Sequence, residues 1–294
     1  MTGRWSVPEG IVASRGGVKV WEDYRKNIIV DNNGPILAWK AEKDKYASYL
    51  FSPEVQERFL QGIPRLGSLH SEDALSWNLF RSLYQDNKLH LVTDFLSRDM
   101  AVSMLYFWGH SIQESSAEID PTVQEALNEI EPWGRDGRRQ QTETDVMLRG
   151  ARDLVMVECK LGVPGKPVKA WIRSRSGMRA DYRKFMEKFG VRLFNDSFDF
   201  EADGNRFYQL FRNYLLGAAL SQRWKIKFWL LAIVNSKNTN LDGLPHETEF
   251  GHFRSKLVDP LNAVIITWQQ VVDVVKEDPQ LGKLRSYLAS HPLL

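Results

Sequence analysis

The sequence predicts an α/β fold, and three observations carry that expectation. Two amphipathic helical stretches, over 71–86 and 206–222, stand at either end of the central region. Between and after them lie short runs rich in β-branched and aromatic residues, at 101–109 and 225–235, with another at 263–267. In the middle sits a pair of short strands joined by a glycine-containing turn, each strand carrying an acid. Helical and strand periods alternating along one chain call for helices packed on a sheet.

Residues 1–66 are expected to be a mostly helical N-terminal extension that packs on a core spanning 67–294. Asp31-Asn32-Asn33-Gly34-Pro35 is a turn signal. Ser52-Pro53-Glu54 has the serine cap and first-turn proline of a helix start. No chemistry suggests itself there. Ser71 caps the next helix, with Glu72 and Asp73 in a first turn whose dipole favours acids. Ala74, Leu75, Asn78, Leu79, Phe80 and Leu83 form its buried stripe, and Asn78 among them requires hydrogen-bond partners.

Ala101–Gly109 reads as an apolar strand. The 113–131 segment has six acids and no bases, with a surface helix starting near Pro121. Trp133-Gly134-Arg135-Asp136-Gly137-Arg138-Arg139 then leads directly into the first acid-bearing strand, so Arg135, Arg138 and Arg139 are placed to hold a polyanion against it. That strand is Thr142–Leu148 with Asp145. The second is Leu154–Lys160, with Glu158 and Lys160. Alternation puts Glu158 and Lys160 on one face, and Val155, Val157 and Cys159 on the other. A turn at Ala151 and Arg152 sets Asp145 opposite Glu158, with facing residues roughly 5 Å apart. Two carboxylates and an ammonium gathered this closely suit a divalent metal.

Beyond Lys160, Gly165-Lys166 lacks the spacing of a P-loop. From 166 to 192 nine Lys and Arg stand against Asp181 and Glu187, among them Arg173, Arg175 and Arg179, and this segment is assigned to phosphate binding. A helix is expected over 179–189. The helix over 206–222 buries Phe207, Leu210, Phe211, Tyr214, Leu215 and Ala218, while Gln209, Arg212 and Asn213 share another face. Strands at 225–235 and 263–267 and helices at 268–276 and 281–290 complete the chain. His246, Glu247 and His252 do not have zincin spacing and read as ordinary loop residues.

Composition excludes several classes. Hydrophobic content of 43 % and charged content of 26 % over 294 residues are those of a soluble globular protein. One cysteine allows no internal disulfide and fits a reducing compartment. The first ten residues have no apolar run of a signal peptide, and the longest apolar run, 228–234, is too short to span a bilayer. A cytoplasmic protein with no membrane partner is the expectation.

The order helix, strand, acidic hairpin, helix, strand resembles the PD-(D/E)xK nuclease superfamily, in its restriction-endonuclease-like branch. The likeness covers about residues 68–270. It rests on Asp145 at the first acid position, on Glu158-Cys159-Lys160 as the E-x-K, and on the flanking helices with Ser71–Phe80 and Tyr208–Asn213. Twelve residues separate the two acids, and Thr144 stands where the family often has proline. The resemblance implies an α-β-β-β-α-β core with a mixed central sheet flanked by helices. It implies a Mg²⁺-dependent nuclease hydrolysing DNA, with Mn²⁺ able to substitute, acting as an endonuclease in restriction, defence or repair. RNA is not excluded as substrate, and double-strand cutting favours a homodimer. Asp145, Glu158 and the backbone carbonyl of Cys159 would hold the metal, with Glu72 as an additional acid and Asp73 beside it. Lys160 would act on the attacking water or on developing charge. Gln209 and Arg212 match positions facing the site, although Asn213 fills the slot where some relatives carry tyrosine. The alternative is a catalytically inactive nucleic-acid-binding module on the same fold.

Overall fold

The structure, a computed structural model, describes residues 9–15, 17–97, 100–113, 118–132, 144–162, 180–239, 243–291 and 294. Its N-terminal part holds an antiparallel hairpin, β1 (Ile11–Ala13) and β2 (Lys19–Trp21), which turn signals had not suggested. Two short helices follow, α1 (Pro35–Lys43) and α2 (Pro53–Arg58), the second preceded by Ser52 with no side-chain cap bond. Ile36, Leu37 and Ala41 of α1 share one apolar core with the helix that comes next.

That helix, α3 (Glu72–Gln85), begins as expected, with Ser71 Oγ accepting the Ala74 amide at 3.1 Å. Asn78 is a satisfied structural amide: it donates to the Asn27 carbonyl at 2.8 Å and accepts from the Ile29 amide at 2.9 Å. After the single-turn helix α4 (His90–Thr93) comes β3 (Val102–Phe107). It is shorter than the apolar run, because Trp108 and Gly109 both adopt positive φ and turn the chain back into β4 (His110–Ser111). Next come α5 (Pro121–Ile130), β5 (Val146–Gly150), β6 (Asp153–Lys160), α6 (Ala180–Phe189), α7 (Ala202–Arg206), α8 (Tyr208–Trp224) and β7 (Lys227–Val234). The chain ends with α9 (His246–Arg254), β8 (Ala263–Thr267), α10 (Trp268–Glu277) and α11 (Gly282–Ser290). The 246–254 segment, expected to be loop, is thus a helix, with Phe250 and Phe253 buried on its inner side.

Six strands form one mixed sheet in the order β4-β3-β5-β6-β7-β8. Pairing is antiparallel from β4 to β6 and parallel from β6 to β8. The α3-β3-β5-β6-α8-β7 path is the α-β-β-β-α-β order that the resemblance implies. Apolar layers cover both faces. One contains Val155, Val157 and Cys159 with α3 and α10, and the other contains Leu154 and Met156 with α5 and α8. The separation follows from alternation along β6.

Gly217 controls how closely α8 approaches the sheet. A Cβ there would lie 2.7 Å from Phe228 Cδ2 and 2.9 Å from Met156 Cγ, so only glycine allows this spacing. One turn earlier on the same helix stands Asn213, and this close approach brings its amide to the end of β6.

Candidate active site at the end of the acidic hairpin

The hairpin closes around Ala151 and Arg152, with Val146 opposite Val157 as its last paired step. One further step in that register sets Asp145 against Glu158, as alternation predicts. Asp145 Oδ2 accepts the Cys159 amide at 2.8 Å, which ties the first acid to the backbone between Glu158 and Lys160. Cys159 itself points into the core and is fully buried. Its thiol is pushed up by burial and by the neighbouring Asp145 charge, so it is inert.

Glu158 is 2 % exposed and each of its oxygens is engaged. Oε1 pairs with Lys160 Nζ at 2.7 Å, and Oε2 accepts from Asn213 Nδ2 at 2.5 Å. Asn213 is itself held from the other side: its Oδ1 accepts from Arg212 at 2.9 Å and from the Thr144 hydroxyl at 3.0 Å. Arg212 and Asn213 are both buried. Gln209, one turn before Asn213, is partly exposed and makes no hydrogen bond to Asp145, Glu158 or Lys160. Sequence reading placed Asn213 on the right helix face but gave it no role. The signal was there: a buried amide on a face beside a carboxylate needs a partner.

Glu72 reaches the same end of the sheet from α3. Its Oε1 accepts the Leu161 amide at 2.7 Å, and its Oε2 lies 3.5 Å from Lys160 Nζ. Lys160 is therefore shared between two carboxylates. Its backbone carbonyl accepts from the Asn235 amide at 3.1 Å and from the Trp268 indole at 3.3 Å, so the strand end is anchored as well. Asp73, adjacent to Glu72, has a different partner: its Oδ1 accepts the Trp108 indole N–H at 2.9 Å.

Electrostatics follow from this crowding. Burial raises the Asp145 carboxyl well above its ordinary value of 3.8, and the nearby Glu158 charge raises it further. Lys160 pulls it back down, and Asp73 adds to the rise. For Lys160, burial works against the charge, but Glu158, Glu72 and Asp145 outweigh it and hold the ammonium well above 10.5. Three carboxyl groups, Asp145, Glu158 and Glu72, stand around one lysine, an arrangement that a divalent cation would relieve when they are ionised. Among the described residues no three His, Cys, Asp or Glu side chains converge as a finished cage. Mg²⁺ does not require one, since it binds through one or two carboxylates and keeps several waters. Asp145, Glu158 and the Cys159 carbonyl are the groups here that could hold such an ion.

Arg135, Arg138, Arg139, Arg173, Arg175 and Arg179 lie outside the described residues. Among those described, no helix is long and apolar enough to cross a membrane.

A family model described as Restriction Endonuclease associating with ARP matches residues 43–291. Among curated proteins and among solved structures, nothing matches the chain.

Proposed function

The chain belongs to the family Restriction Endonuclease associating with ARP, and on that premise we propose that it is a Mg²⁺-dependent nuclease of the PD-(D/E)xK type that hydrolyses DNA phosphodiester bonds. One observation carries the reading: Asp145, Glu158 and Lys160 come together at the end of one hairpin, with Glu158 fixed from two sides. Charged residues on a solvated sheet face would be exposed and free to move. These are neither.

Asp145 and Glu158, with the Cys159 carbonyl, are the residues to hold Mg²⁺, and Glu72 is the further acid within reach of Lys160. The ion supplies acidification of a coordinated water and neutralisation of charge on the phosphate oxygens. Lys160 is held protonated by its carboxylate neighbours. It is therefore suited to orienting the attacking water and to stabilising negative charge as it develops, and not to taking a proton. Asn213 fixes the Glu158 carboxylate without adding charge. Arg212 is held against Asn213 and buried. Its role is to brace that amide, and a direct clamp on the scissile phosphate does not follow from this geometry. Gln209 is left with access to a ligand. The basic segments containing Arg135, Arg138 and Arg139 and Arg173, Arg175 and Arg179 enter and leave the hairpin in sequence, which suits them to phosphate contacts on DNA.

A specific observation favours the second reading, an inactive nucleic-acid-binding module. Both Glu158 oxygens are already taken by Lys160 and Asn213, and a carboxylate committed in this way would need to release a partner to ligate a metal. Incubation with plasmid and linear DNA, with Mg²⁺ or with chelator, separates the two. Metal-dependent cleavage supports the nuclease. Inert protein that still retards DNA in a gel supports the binding module and sinks the nuclease.

A further inference from the structure

We propose that Lys40 is a positioning residue for this site, acting through Asp73 and Trp108 on the backbone that carries Asp145. The proposal deepens the nuclease reading and rests on it for its functional readout. Lys40 lies on α1, ahead of the residues that the family model matches. It is buried, at 5 % exposure. Its Nζ stands 2.6 Å from Asp44 Oδ2 and 3.4 Å from Asp73 Oδ2, and 4.9 Å from the centre of the Trp108 ring.

Asp73 is thereby held at both oxygens, by Lys40 on one and by the Trp108 indole N–H on the other. Trp108 in turn donates its backbone amide to the Asp145 carbonyl at 3.4 Å. The Trp108 backbone has φ 52°, left-handed, a conformation that a bulky residue keeps only where its surroundings hold it. Those surroundings include the Trp77 and Phe107 rings, and on the polar side the Asp73 carboxylate at its indole edge and the Lys40 ammonium over its ring. Lys40, Asp73, Trp108 and Asp145 thus form one connected path from the N-terminal segment to the first acid.

Charge points the same way. The Lys40 ammonium stands 3.4 Å from Asp73 Oδ2, and Asp73 is next in sequence to Glu72, whose carboxylate reaches Lys160. An ammonium at this place offsets Asp73, so that Asp145 faces a cation with less competing negative charge nearby. A lysine serving only to stitch α1 would need Asp44, four residues on, and nothing further.

The test is Mn²⁺ affinity by calorimetry and DNA-cleavage kinetics on the full chain, comparing Lys40→Met, Lys40→Arg, Asp73→Asn and Asp44→Asn. The expected result for Lys40→Met is about a tenfold loss in Mn²⁺ affinity and a fall in kcat of about tenfold or more, with KM for DNA near wild type, the size usual for groups that orient a ligand. Lys40→Arg retains most of both. Asp44→Asn stays near wild type, and Asp73→Asn shares the Lys40→Met loss without adding to it in the double variant. Wild-type values for Lys40→Met, or an equal loss in Asp44→Asn, overturn the proposal. Should the wild type neither bind Mn²⁺ nor cut DNA, the nuclease reading falls. The path is then judged by hydrogen exchange at the Trp108 indole N–H of the apo protein: faster exchange in Lys40→Met upholds it, and an unchanged rate overturns it. Asp73→Asn gives the same readouts if Lys40→Met does not fold.

Discussion

Asn213 Nδ2 lies 2.5 Å from Glu158 Oε2, joining the middle of α8 to the end of β6 through two buried side chains. The bond is neutral-to-charged and joins two buried side chains, so it both orients the carboxylate and offsets part of its burial. Asn213→Ala leaves a buried carboxylate oxygen without its donor and should cost about 1–3 kcal/mol. Asn213→Asp, which sets a second acid against Glu158, should cost more. Chemical denaturation ranks the three proteins, and equal stabilities would show that the amide does not support Glu158.

Asp145 is expected to make the apo protein less stable as pH rises. Its folded carboxyl lies well above the ordinary 3.8. A group raised in the folded state contributes stability that is full below its unfolded value and is lost as pH climbs through its folded value. Asp145→Asn removes this slope. The difference in melting temperature between wild type and Asp145→Asn should therefore grow in favour of the variant above about pH 4. Added Mg²⁺ should reverse it for the wild type alone. A constant difference across pH would contradict the crowding of Asp145 with Glu158.

Lys160→Met should abolish cleavage, by on the order of a hundredfold or more, since a fixed cation near developing charge is lost. The variant should also be less stable, because Glu158 and Glu72 lose their shared ammonium. Lys160→Arg tests point charge against geometry: full activity in that variant would show that charge alone suffices. Initial rates in Mn²⁺ and thermal melts together distinguish the two effects.

Gly217→Ala should push α8 off the sheet. Its added methyl would meet Phe228 and Met156 inside 3 Å, and overpacking of this kind costs about 1–3 kcal/mol. The shift also moves Asn213, one turn away, so cleavage should fall further than in an equally destabilised variant remote from the site. If activity tracks stability alone, the helix does not meter the site.

Metal removal gives the remaining expectation. With chelator the protein should melt earlier at pH 8 and by less at pH 5, because protonation of Asp145 relieves the same repulsion that an ion relieves. Differential scanning calorimetry at the two pH values measures it. An equal shift at both would place the ion elsewhere.

Several elements were legible because they depend on local periodicity. Alternation along 154–160 sorted Glu158 and Lys160 from Cys159, and the two-residue turn at Ala151 and Arg152 set the register that brings Asp145 opposite Glu158. The Ser71 cap, the Asn78 amide and the 263–267 strand are of the same kind. The β3–β4 turn was missed because Trp108, an aromatic in an apolar run, reads as strand. Its left-handed backbone accompanies contacts with Lys40, Asp73 and Trp77 that no local pattern reports. The α9 helix was missed because polar residues outnumber apolar ones in His246–Arg254, and packing of Phe250 and Phe253 on the core is not visible in that pattern.

By itself the sequence determined the acidic hairpin: period-two alternation is a property of the chain, and it brings two acids and a lysine to one end of one sheet whatever else surrounds them. Only the tertiary structure decided which partners those side chains have. Asn213 lies 55 residues beyond Glu158, and Lys40 more than a hundred before Asp145. The first meeting depends on the α8-to-sheet spacing that Gly217 permits and the second on α1 sharing a core with α3; both arise when distant segments pack together, and spacing along the chain does not encode them.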